Sequence, residues 1–301
     1  MKEILWLFFG CVLLVSCYDE GELKPSEAPE LIYGKYTLPQ GTHDYDDDIV
    51  AFYKQYSSLI LYKFTSKDFG WFPTGNFAWD AAVDTIERTG GVPKYDAQVA
   101  DELYVGEQLQ LLRDKLFDYL PDTLMHLLPQ KLLLCSVLDA VPVGLGYNPK
   151  PEQRQALNVY SGFYHLAINW GTAKILTMTP EERNRFKIDV CVAYMKAVVG
   201  SLEQPEEFFM VSRYTEEIDK DQIYANGLLD YEHRLKLDED WLDYLKLAIE
   251  NSKESLEAEG GMLHASVDVN GKIREKYTIM VDFLKSKYGF DIQAIGDDIE
   301  S

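Results

Sequence analysis

Apolar and polar positions alternate with several different periods along this chain, and each change of period predicts an element. Ile4 to Val15 is a continuous apolar run. It is too short for a membrane span, which needs roughly 20 residues, and suits the h-region of a secretory signal. Ile49, Phe52, Tyr53 and Tyr56 recur with helical spacing and predict a helix over 45–57, capped by Asp44. Asp46, Asp47 and Asp48 fall in its first turn, where the helix dipole favours negative charge. A strand is predicted over 59–64, followed by aromatic loop sequence over 69–79 and a second loop at 89–93. Leu109, Leu112, Leu116 and Leu120 share one face of a helix predicted over 97–119. A short helical piece lies between Pro121 and Pro129, and compact apolar strands are predicted over 131–138 and 163–170, with a Pro/Gly loop at 141–151 between them.

Thr179-Pro180-Glu181-Glu182 is the sharpest local signal, with a cap, a first-turn proline and a capping-box glutamate. It starts a helix running to 199, with Phe186, Val190, Ala193 and Ala197 on one face and Gly200 at its end. Residues 212–237 have no clear period. Helices are predicted over 239–252 and 273–288, and turns at Gly260-Gly261 and Asn270-Gly271. No repeat is visible, and no domain break after Glu30. The division that results is a signal over 1–17, an acidic tether over 18–32 and one domain over 33–301.

Ser16 before Cys17, in Leu14-Val15-Ser16-Cys17, resembles a bacterial lipobox. That likeness implies a lipid on Cys17, anchoring through buried methylenes at about 0.8 kcal/mol each. The alternative is an ordinary signal with a chance cysteine. Tyr18-Asp19-Glu20-Gly21-Glu22 resembles the surface-export signal of Bacteroidetes lipoproteins. Its composition also suits a solvated tether. The expected location is therefore the outer membrane, lipid-anchored and at the cell surface.

Charge narrows the partners. The net charge is -21, and removing the signal deletes Lys2 and Glu3 together, so it does not change. Such a surface repels nucleic acid and anionic membrane, which excludes both as primary partners and leaves the lipid as the membrane contact. Of the four cysteines, Cys135 and Cys191 lie outside the signal and the lipobox. Both sit in apolar runs, so buried free thiols are expected rather than a disulfide.

Asp44, Asp46 and Asp48 mimic a calcium loop, but Ile49 stands where the loop needs glycine and Gln55 where it needs glutamate. No P-loop, G-x-S-x-G or complete G-x-G-x-x-G motif is present. The five histidines are His43, His126, His165, His233 and His264, and none forms an i, i+4 pair. His165 is expected to be a packed, hydrogen-bonded residue, and a structural role suits His43.

The order of several segments resembles the zinc-binding metallopeptidase-type lipoproteins of Bacteroidetes, which often accompany outer-membrane nutrient-uptake systems. The likeness is carried by His43-Asp44-Tyr45-Asp46, Ile49-Val50-Ala51-Phe52-Tyr53 and Leu61-Tyr62-Lys63-Phe64. Pro205-Glu206-Glu207-Phe208, Asp238-Glu239-Asp240-Trp241, Ile273-Arg274-Glu275-Lys276-Tyr277 and Phe290-Asp291-Ile292-Gln293 complete it. It implies an α+β fold, a helix-rich zincin-like domain with a small sheet. In that family a helix before the P-x-E-F segment carries H-E-x-x-H, whose histidines hold zinc and whose glutamate activates water. The corresponding helix here, 181–199, has no histidine, and its Asp189, Cys191 and Tyr194 cannot supply that set. Asp240 or Asp243 falls where a third ligand is implied.

The chain is thus expected to be a divergent member without catalytic residues, metal ligands or a cofactor. The implied role is a non-catalytic accessory or binding component of a nutrient-uptake complex, taking a peptide or glycan. Trp71, Phe72, Trp79 and His165 are the candidate ligand contacts. Two alternatives stand beside it. One is a zinc-dependent hydrolase whose His165, His233 or His264 converges with Asp240 or Asp243. The other is a structural or adhesive surface lipoprotein.

Overall fold

Helix α1 (Asp46–Tyr56) forms where the aspartate run predicts it, but its cap differs. Asp44 caps nothing here. Asp46, inside the first turn, accepts hydrogen bonds from the His43 N–H and the Tyr62 hydroxyl, both at 2.8 Å. These coordinates are a computed structural model that describes residues 36–65, 68–69, 94–142, 144 and 150–300. Leu38–Ser301 is one compact unit and Met1–Thr37 another. Of the latter, only Tyr36 and Thr37 are described, in irregular backbone. Cys17, the acidic tether and the aromatics Trp71, Phe72 and Trp79 lie outside the described residues.

Strand β1 (Leu59–Leu61) stops sooner than its apolar pattern suggests. The backbone N–H groups of Tyr62 and Lys63 donate to the Gln40 side chain, at 2.9 and 3.1 Å, instead of continuing a ladder. The expected helix over 97–119 divides. Its first residues belong to strand β2 (Lys94–Val99). Asp101 then accepts from the Leu103 N–H at 3.0 Å and starts a 3-10 turn, and helix α2 (Val105–Lys115) follows. The buried face of α2 is Val105, Gln108, Leu111, Leu112 and Lys115, with Leu109 only half-buried. Gln108 reaches into the sheet and donates to the carbonyls of Ile168 and Asn169 at 2.9 and 2.7 Å. A short helix α3 (Asp122–Met125) precedes strand β3 (Lys131–Val141), which outruns its prediction by three residues.

β3 organises the sheet. Residues 131–134 pair in parallel with β1 on one side and with β6 on the other. Residues 135–141 pair antiparallel with β2, across a bulge at Gln98/Val99, and the ladder continues to β4 (Gln155–Ala156). The burial pattern follows this division. Leu132 to Leu134 are continuously buried, as a parallel strand covered on both faces requires. The strand expected over 163–170 is a hairpin of β5 (Val159–Ser161) and β6 (His165–Ile168), turning at Gly162. A Cβ on Gly162 would meet the His165 ring at 2.0 Å, so the turn has room only for glycine.

Helix α4 (Pro180–Val198) carries the full capping box, with Thr179 accepting from the Glu182 N–H at 3.2 Å and Glu182 from the Thr179 N–H at 2.9 Å. Its buried stripe runs through Phe186, Val190, Cys191, Tyr194 and Val198. Ala197, expected on that face, is exposed. The larger Tyr194 and Val198 fill the contact with the core instead. Helices α5 (Glu206–Met210), α6 (Leu237–Glu250), α7 (Lys253–Glu257), α8 (Lys272–Tyr288) and α9 (Gln293–Asp297) complete the fold. The region without clear period, 212–237, is a series of 3-10 turns around a small core of Ile218, Ile223 and Leu228. Among the described residues the fold is mixed α and β, rich in helix, with one small mixed sheet.

Gly296 shows how tightly α9 seats on α6. A Cβ there would lie 2.2 Å from the Ala248 carbonyl oxygen and 2.3 Å from that of Asn251. Backbone cannot give way as a flexible side chain can. Gly296→Ala is expected to lower stability by about 2 kcal/mol through overpacking. Urea unfolding checks this, and an unchanged midpoint would contradict it.

Candidate functional site

The residues named by the sequence fall in separate places. His165 lies on β6 with 2% exposure, its ring centred 5.1 Å from Phe69 and 5.9 Å from Tyr160. It is therefore an interior residue and not a surface contact. It is packed as expected, but its Nε2, expected to be hydrogen-bonded, has no partner among the described residues. Burial pushes its pKa down to about 3, and the Lys131 ammonium acts in the same direction. His43 is stacked on Tyr45 at 4.9 Å, and its Nε2 meets Glu102 at 2.9 Å. His264 forms a turn contact with Ser266 at 2.8 Å.

On α4, the residues considered as stand-ins for a metal set have other partners. The Cys191 thiol lies 3.3 Å from the Lys115 carbonyl, and the Tyr194 hydroxyl donates to the Leu124 carbonyl at 2.6 Å. Asp189 accepts from Asn158 at 2.8 Å and pairs with Arg185 at 3.1 Å. Cys135 and Cys191 are buried free thiols. Burial pushes the Cys191 thiol up to about 12.

Helix α6 brings two carboxylates one turn apart, and they meet different partners. Asp240 is 1% exposed and pairs with the Lys276 ammonium of α8, whose side chain is 0% exposed. The Lys276 ammonium also donates to the Gly227 carbonyl at 2.9 Å and to Ser212 Oγ at 3.1 Å. The rings of Phe208, Tyr244 and Tyr214 surround it, with centroids at 4.3, 4.7 and 5.5 Å. Ring faces attract a cation, so the box compensates part of the lost hydration. Gly227 can aim its carbonyl inward because it adopts a positive φ of 72°. The Tyr214 hydroxyl donates to Asp240 Oδ2 at 2.6 Å, while Asp240 Oδ1 has no hydrogen bond. Burial pushes Asp240 up, against the pull of Lys276, and pushes Lys276 down to about 8.

Asp243, the second carboxylate, takes His233 Nδ1 at 2.5 Å and Lys246 at 3.4 Å. This is the one meeting of those the rearranged hydrolase would need that is found among the described residues. Among the same residues no group of three His, Cys, Asp or Glu side chains is arranged to hold a metal ion.

A feature that sequence reasoning missed is an open groove between α1 and α2, with a volume of about 380 Å³. Phe52, Tyr56 and Phe117 supply aromatic walls, Ile60 lies beneath, and Arg113, Gln55, Asp48 and Asp118 supply polar groups. The Phe52 ring is 5.0 Å from Tyr56 and 5.1 Å from Phe117. The available signal was the width of the α1 stripe. Only Ile49 of its four predicted members is buried, and Phe52 and Tyr56 are half-buried at the groove.

No protein-family model matches this chain, and no curated protein does. Among solved structures it is similar to one described as a "putative zinc-binding metallo-peptidase" from Bacteroides caccae ATCC 43185. That likeness has 8% sequence identity and a TM-score of 0.46, and it covers 85% of this chain and 91% of the other.

Proposed function

We propose that this chain is an exported, lipid-anchored binding component of the outer cell surface. In this reading it has a metallopeptidase-type scaffold, serves an uptake complex and does not itself hydrolyse peptides. The observation that carries the reading is Asp240. The resemblance offers Asp240 or Asp243 as a third metal ligand, and here Asp240 is neutralised by Lys276 inside an aromatic box. A divalent cation would have to displace a buried ammonium to reach it. The anchor rests on Leu14-Val15-Ser16-Cys17.

The groove between α1 and α2 is the ligand face in this reading, and its chemistry favours a short glycan. Aromatic faces suit sugar C–H surfaces, and carboxylate, amide and guanidinium groups suit hydroxyls. Its volume lies near the lower end of small-molecule sites. At this groove the Asp48 and Asp118 carboxylates disfavour anionic ligands.

Phe117→Ala is expected to reduce retention of neutral oligosaccharides on a glycan array at least tenfold, with Tm changed by only a few degrees. Selective retention of peptides would move the ligand class, and equal retention by native and variant chains would remove the groove from the proposal. A second reading is favoured by one observation only, the His233–Asp243 pair. A carboxylate on Nδ1 orients an imidazole as a base in hydrolases. Near-stoichiometric zinc after gel filtration, lost in His233→Ala, would establish that reading and overturn the first.

A further inference from the structure

A different part of the fold gathers cations against the sign of the whole molecule. Lys115 ends α2, and Arg183 and Lys187 lie one turn apart on α4. The Lys115 and Lys187 side chains are only 6% and 3% exposed. Ammonium groups are seldom buried so deeply without an anion. Burial pushes Lys187 below the usual lysine range, and the nearby Lys115 charge adds to that effect.

Residues 298–300, outside any helix or strand and with Asp298 in extended backbone, lie in this trench against these cations. The Glu300 carboxylate pairs with Lys115 and, at 3.0 Å, with Arg183 Nε. The Asp298 carboxylate accepts from the Tyr119 hydroxyl and lies 3.8 Å from the Lys187 ammonium, which donates to the Asp298 carbonyl. Asn184 holds the backbone between these contacts. Its Nδ2 donates to the Glu300 carbonyl at 2.9 Å, and its Oδ1 accepts from the Glu300 N–H at 3.0 Å. The intervening Ile299 remains 64% exposed.

The trench therefore reads alternate side chains for negative charge and the backbone without regard to sequence. Extended peptides present alternate side chains to one face, and binding sites for them combine these two kinds of contact. An ordinary surface ion pair would need neither buried lysines nor a backbone bracket.

We propose that the trench formed by Lys115, Tyr119, Arg183, Asn184 and Lys187 is a binding site for acidic peptide segments of the pattern Asp-x-Glu, with residues 298–300 as its tethered and exchangeable occupant. The site is separate from the α1–α2 groove and does not depend on its ligand. A tether holds an occupant at an effective concentration of about millimolar, so a segment from another protein competes only when it binds well or when the internal one weakens.

The test uses the full chain carrying Asp298→Asn and Glu300→Gln, which keeps side-chain size and the Asn184 bracket but removes both negative charges. The probe is a fluorescent peptide with the sequence of residues 293–300. The variant is expected to bind it at least tenfold more tightly than the native chain does, and adding Asn184→Ala should weaken that binding at least fivefold. A peptide with Asn and Gln at the two acidic positions should bind neither chain. Should the variant fold poorly, hydrogen exchange on the native chain decides. Saturating acidic peptide should speed exchange across 298–300 by displacing them. Equal peptide affinity in the two folded chains, or unchanged exchange in the native one, overturns the proposal.

Discussion

Replacing Lys276 with alanine is expected to lower the stability of the fold by about 3–5 kcal/mol, the range for removing one partner of a buried ion pair. The loss should appear as a lower urea midpoint with little change in slope. Asp240 would remain at 1% exposure with one oxygen already lacking a hydrogen bond and the other held only by Tyr214. The ammonium also fills the space between Phe208, Tyr214 and Tyr244, so its loss opens a cavity among those rings. Replacing both partners with apolar residues, Lys276→Met together with Asp240→Leu, should recover most of the loss. A buried pair is often no more stable than well-packed apolar side chains. A single-variant loss below about 1 kcal/mol would contradict the closed centre described here, because such a small penalty requires water to reach Asp240.

Acid should destabilise the protein through His165 over a defined window. In the unfolded chain the imidazole takes a proton near its ordinary value of 6.5, whereas in the folded chain it resists until about 3. The unfolded state therefore binds more protons between these values. The contribution of His165 is complete above pH 6.5 and falls as pH drops towards 3, by roughly 4 kcal/mol at the lower end. Carboxylates act in the same region. Tyr119 holds Asp298 below its usual range, and Lys115 and Arg183 hold Glu300 below its own against the upward push of burial. Comparison with His165→Phe separates the terms, because phenylalanine keeps the tilted ring contacts with Phe69 and Tyr160 without a titrating group. Stability profiles from pH 7 to 4 should diverge, with the native chain losing more. Parallel profiles would show that the interior readily accommodates the imidazolium.

Local signals explain which parts of this fold the sequence made legible. Thr179-Pro180-Glu181-Glu182 sets α4 because its cap, proline and glutamate act within one turn. The helix predicted over 239–252 is found as α6, shifted two residues towards the N-terminus, with Asp238, Glu239 and Asp240 in its first turn. Tyr95 to Val99 misled because Ala97 and Gln98 continue the helical pattern of α2 when read along the chain. Their state is decided by β3, a partner distant in sequence. The same reason hid the trench. Arg183 and Lys187 look like ordinary cations of a surface helix until residues 298–300 meet them. Lys276 was legible only as part of a family-like segment, since the aromatic box around it comes from α5, α6 and the 3-10 region. His165 was placed correctly as packed, but the lack of a partner for Nε2 depends on its surroundings and not on its neighbours in the chain.

The two-part pairing of β3 bears on the order in which the molecule acquires its structure. Its parallel half joins Lys131 to Leu59 on one side and to His165 on the other. Neither partner can be reached by a tight turn, so both contacts close long stretches of chain before any ladder bond compensates the lost freedom. Helices α4, α6 and α8 need only local bonds to start, whereas contacts of large sequence separation slow folding. Leu132 to Leu134 would then be the last backbone to become protected after dilution from denaturant, and the step that fixes them would set the overall rate.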